Sequence, residues 1–116
     1  MELSLRPYHG SILLCDSPAE MRKQYRRLCR KTCPHEITES GGRYIKIEFD
    51  HPHETQWLVY SDSLAYLAHE FCHVLLQTFK TIGHDPTQGD GEPFCYMLSQ
   101  LMLEASPTPH TKEPTP

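Results

Sequence analysis

SDSLAYLAHEFCHVLLQTF, residues 61–79, is the stretch on which the reading of this chain turns. Leu64, Ala68, Phe71, Leu75 and Phe79 recur at i, i+4, i+7, i+11 and i+15, the spacing of one apolar helical stripe. Ser61-Asp62-Ser63 offers caps at its start, and the pattern runs on toward Gly83. Inside it sits His69-Glu70-Phe71-Cys72-His73. Residues four apart lie one helical turn apart on the same face, so both imidazoles can converge on one ion. Glu70 is turned about 100° from His69, off the ion but beside a water that the ion would hold. A general base belongs there.

Upstream, TQWLVY reads as a strand near 55–60. The segment ITESGGRYIKIEFD reads as a hairpin: a strand near 36–39, a turn at Ser40-Gly41-Gly42, and a strand near 43–49. In its second arm Ile45, Ile47 and Phe49 alternate with Tyr44, Lys46 and Glu48, so one face is apolar. SILLC, residues 11–15, is a further short buried strand. Ser17-Pro18-Ala19-Glu20 writes out a helix start, with a capping serine, a proline in the first turn and a glutamate closing the box. Met21, Tyr25 and Leu28 then follow at helical spacing, which predicts a helix over 18–31 that ends before Pro34.

Downstream, GHDPTQGDG, residues 83–91, is a loop by composition. A last helix is expected near 92–104, burying Phe94, Met97, Leu98, Leu101 and Met102. SPTPHTKEPTP, residues 106–116, has four prolines in eleven positions and no apolar anchor, and is read as a disordered tail.

At 116 residues with 38% apolar side chains, the chain has the size of one domain with a modest core. No run approaches the roughly 18 apolar residues of a membrane span, and MELSLRPYHG lacks a signal-peptide pattern, so a cytoplasmic protein is expected. Five cysteines at irregular spacing suit reduced thiols better than a disulfide framework. A net charge of −4 argues against nucleic-acid binding over the whole surface.

His69-Glu70-Phe71-Cys72-His73, followed by a glutamate on the next helix, resembles the gluzincin branch of the zincin metallopeptidases. Gly83 and then Glu92-Pro93-Phe94-Cys95-Tyr96 make the chain similar, over about residues 60–103, to short phage-encoded HExxH proteins. The resemblance implies a minimal α+β zincin-like fold over residues 1–105. In it a small mixed or antiparallel sheet packs on the motif helix, and the following helix supplies the third ligand. It implies Zn²⁺ held by His69, His73 and Glu92, with a fourth position left for water, as catalytic zinc sites require. Glu70 would then be the base that takes the water's proton and hands it to the leaving amine. Tyr96, one turn after Glu92, is the expected stabiliser of the oxyanion; His84 and Asp90, in the loop between the helices, could supply it or orient a ligand histidine, the usual part of a carboxylate. An edge strand above the site would pair with extended substrate; TQWLVY is the first candidate, with an ordinary core strand the equal alternative. The implied partner is a protein or peptide substrate.

Two rival readings stand beside this one. A zinc-containing phage protein could bind a host or virion partner without cutting it. The helix over 18–31, with six of the chain's 11 basic residues at Arg22, Lys23, Arg26, Arg27, Arg30 and Lys31, could bind nucleic acid, although a solvated outer face is the simpler account. Cys29, Cys33 and His35 could begin a second metal site, but no fourth ligand is evident. Cys72 is expected to pack as a small hydrophobe, and His51 and His53 to be exposed.

Overall fold

In the computed structural model, which describes residues 1–49 and 54–106, the chain is a mixed α+β structure. Among these residues it forms four strands, β1 (Glu2–Ser4), β2 (Ser11–Cys15), β3 (Gly42–Glu48) and β4 (Thr55–Ser61). Three α-helices accompany them: α1 (Pro18–Cys29), α2 (Leu64–Thr81) and α3 (Glu92–Ala105). The strands lie in the order β1-β2-β4-β3, with β2 and β4 parallel and both outer pairs antiparallel.

The sheet is sandwiched between helices, and β4 explains why. Trp57 and Val59 face one way, into a core with Phe71, Val74 and Leu75 of α2 and Met97 and Leu101 of α3. Leu58 and Tyr60 face the other way, into a cluster with Met21 and Tyr25 of α1. A strand buried on both faces reads as a continuous apolar run instead of alternating. TQWLVY is therefore an interior strand, the core-strand alternative and not the edge. The exposed edge on that side is β3.

The predicted strand near 36–39 does not form. Ile37 is buried against the α1 cluster, and Tyr60 donates its hydroxyl hydrogen to the Glu39 carbonyl at 2.6 Å, so side chains rather than strand pairing pin this segment. The arm at 42–48 pairs instead with β4, the next strand in sequence. β1 was not anticipated; it is three residues long, with only Leu3 buried.

The helices begin where their caps put them. Ser17 Oγ accepts from the Glu20 N–H at 3.0 Å, and Glu20 accepts from the Asp16 N–H at 2.6 Å. α1 stops at Cys29 because Arg30 turns left-handed, with φ 61°. Ser63 caps α2 through the Tyr66 N–H at 3.2 Å. Gly83, at φ 72°, turns the chain so that the His84 N–H bonds the Phe79 carbonyl at 2.8 Å, satisfying an orphan helix-end acceptor. The 83–91 stretch is irregular, apart from a short 3-10 turn at Gln88–Gly91.

The hairpin turn between β1 and β2 reaches across to the α2 end, where Tyr8 packs on Phe79 with ring centroids 5.0 Å apart. The five cysteines are free thiols. No helix among the described residues is long and apolar enough to cross a membrane. His51, His53 and the segment 107–116 lie outside the described residues.

Candidate metal and peptide site

α2 carries the site because its apolar stripe faces the sheet and leaves the next face of the helix over the β3 edge. Phe71, Leu75 and Phe79 are fully buried, whereas His69 is exposed and His73 half-buried. The Nε2 atoms of His69 and His73 approach to 3.1 Å. Two nitrogens each about 2.0–2.1 Å from a tetrahedral zinc would lie roughly 3.3 Å apart, so the pair fits two corners of one such ion. Tyr44 of β3 stacks on His73, with centroids 5.0 Å apart and planes 21° from parallel. The amide of Gln77 donates to the Tyr44 hydroxyl at 3.2 Å, which fixes that ring.

Glu70 is 6% exposed. Burial pushes its carboxyl above the ordinary range, and the neighbouring His69, His73 and Arg43 offset part of that rise. Desolvation raises the cost of the charged form and makes the carboxylate a readier proton acceptor. The backbone makes room for it. A Cβ on Gly42 would lie 2.9 Å from Oε2 of Glu70, closer than such contacts come.

These groups line one groove of about 360 Å³ that straddles the β3 edge. On one lip stand His69, Glu70 and His73; on the other stand Arg43 and His35. Arg43 Nη2 bonds His35 Nδ1 at 3.0 Å.

Glu92 and Tyr96 are not brought to this groove. Glu92 is exposed in the first turn of α3, and Tyr96 is 65% exposed. Both line a separate groove of about 660 Å³ with Arg6, Pro7 and Tyr8 from the β1–β2 turn. The cause is the way α3 enters: Gly89, Asp90 and Gly91 all have positive φ, and Phe94 then packs on Phe79 at 5.7 Å. That contact sends the Glu92–Tyr96 face toward β1. Among the described residues, no group of three or more histidine, cysteine, aspartate or glutamate side chains is placed to hold an ion, and the Cys29, Cys33 and His35 trio is no exception. His84 packs edge-on beside the Phe79–Tyr8 pair, and Asp90 is exposed in the 3-10 turn; neither lines the histidine groove.

Sequence reasoning missed Arg43, Tyr44 and Gly42, and gave His35 to a different site, with Cys29 and Cys33. Gly42 carried a signal, since a second glycine after Gly41 is not needed for the turn, and a glycine entering a strand marks a close approach. For Arg43 and His35 no local signal exists, because sheet topology brings them to the helix. Compared with protein-family models, curated proteins and solved structures, the chain matches none.

Proposed function

We propose that this chain is a zinc-dependent hydrolase of the metallopeptidase type, acting on a particular protein substrate from a minimal zincin-like frame. The observation that supports it most is the 3.1 Å approach of the two imidazole Nε2 atoms, with a buried carboxylate between them in sequence and a sheet edge beside them. His69 and His73 would hold the ion. Glu92 enters as the third donor expected from the resemblance. Because Glu92 lines a different groove from the pair, Glu92→Gln is the measure of that role, through zinc retention. A bound zinc ion polarises a peptide carbonyl and makes water nucleophilic near neutral pH.

The chain's own groups do the rest. Glu70 accepts the proton of the attacking water on a carboxylate oxygen and returns it to the departing amine. Tyr44 and Gln77 hold His73 in place. The β3 edge receives the substrate as an added strand. Free thiols accord with a cytoplasmic setting, a host's if the chain is phage-encoded.

A second reading is a zinc-containing protein that binds a host or virion partner without cutting it, through the same open strand edge. The test separates the two. Wild type and Glu70→Gln, both loaded with zinc, are incubated with a host-cell proteome and new peptide termini are mapped by mass spectrometry. The hydrolase reading expects termini that depend on Glu70. Binding of the same partners by both proteins with no new termini would replace it with the second reading.

A further inference from the structure

The groove has two lips, and the proposed hydrolysis uses only one. Along β3, Tyr44 stacks on His73 and Lys46 lies over the Trp57 ring, while Ile45 and Ile47 enter the α1 cluster. Arg43 is in register with the isoleucines, so it leaves the strand on the α1 side, yet it lines the same groove as His69 and Glu70. The groove therefore wraps around the strand edge. A peptide laid along that edge presents successive side chains alternately to the histidine lip and to the Arg43–His35 lip.

The second lip is cationic, with the buried Glu70 carboxylate as its neighbour across the groove. Lys46, the other cation lining the groove, is already paired with Glu48 at 2.8 Å. Arg43 has no ion-pair partner among the described residues; one terminal nitrogen is held by His35, and its buried Nε is without a hydrogen-bond partner. Among the described residues one carboxylate, Glu70, lines the groove; it stands on the helix lip, close enough for Arg43 to favour its charged form, and makes no ion pair with it. A guanidinium tethered at one terminal nitrogen by an imidazole, with its Nε buried, keeps the other terminal nitrogen for a carboxylate.

We infer that Arg43, braced by His35, anchors a carboxylate on the bound peptide, so that the groove selects extended segments bearing an acidic side chain or a free C-terminus. This rests on the reading of the groove as a peptide site, but not on cleavage. Binding is therefore measured in the Glu70→Gln protein with zinc added, using three peptides of one length. The first carries an internal glutamate and an amidated end; the second is neutral with a free C-terminal carboxylate; the third is neutral and amidated.

At least one carboxylate peptide is expected to bind about tenfold or more tightly than the neutral one, as a charge-assisted bond allows. Whichever of the two does so identifies the source of the carboxylate. Adding Arg43→Gln should remove the difference, and Arg43→Lys should keep part of it. The Arg43 Nε–H resonance, followed in the Arg43-containing protein, should move with the preferred peptide and not with the neutral one, which covers the case in which Arg43→Gln fails to fold. Equal affinity for all three peptides, or a preference that survives Arg43→Gln, would overturn the inference. If the preference holds while wild type with zinc cleaves none of the peptides, the carboxylate anchor stands and the hydrolase reading is the one that fails.

Discussion

A Cβ built on Gly42 would sit 2.9 Å from Glu70 Oε2 and 3.2 Å from the Tyr60 carbonyl oxygen. The first of these neighbours is a buried carboxylate and the second is backbone inside the sheet, so neither yields freely. Gly42→Ala should accordingly destabilise the fold by about 1–3 kcal/mol, the usual cost of overpacking, in urea unfolding. It should also impair any Glu70-dependent activity more than that stability loss accounts for. Restored activity in a folded Gly42→Ala protein would show that Glu70 does not depend on this contact. The histidine pair and Glu70 were legible in the sequence because one helix carries all three, and helical geometry fixes their relation whatever surrounds them. Gly42 read only as part of a turn, since its real neighbour is 28 positions away in the chain.

At the scale of elements, the helices were legible to within a few residues because caps are local chemistry. Ser17, Ser63 and Gly83 each mark an end through a bond to a backbone group nearby. Ser63→Ala should cost about 0.5–2 kcal/mol of stability in urea unfolding, the usual worth of a serine N-cap. Zinc stoichiometry should stay unchanged, because His69 lies beyond the first turn. The same spacing rule misplaced one residue: Leu64, taken as the start of the stripe, is 54% exposed, and Leu67 is the first buried position. The sheet was less legible. Its order, β1-β2-β4-β3, depends on pairings between distant segments. A doubly buried strand such as β4 gives no alternation to say which side is open, so its pattern leaves edge and core as alternatives for TQWLVY and points β3 to a hairpin with its upstream neighbour.

For the molecule as a whole, the α+β class followed from the elements, whereas the relation between α2 and α3 did not. Glu92 and His73 stand 19 positions apart with a loop between them. Sequence pattern placed each on its own helix but could not say which way the second helix would be turned. The Phe79–Phe94 contact and the three positive φ angles before it set that turn, and they send Glu92 and Tyr96 toward the β1–β2 hairpin. What the fold does unite is a histidine pair, a desolvated glutamate and an arginine from the opposite face, all around one open strand edge.

The central claim is that His69 and His73 share one divalent ion, and elemental analysis of the purified chain tests it most directly. The account predicts one zinc per chain after exhaustive dialysis, retained in Glu70→Gln and lost in both His69→Ala and His73→Ala. A wild-type chain that emerges without metal from zinc-supplemented buffer, or alanine variants that hold as much zinc as wild type, would contradict it.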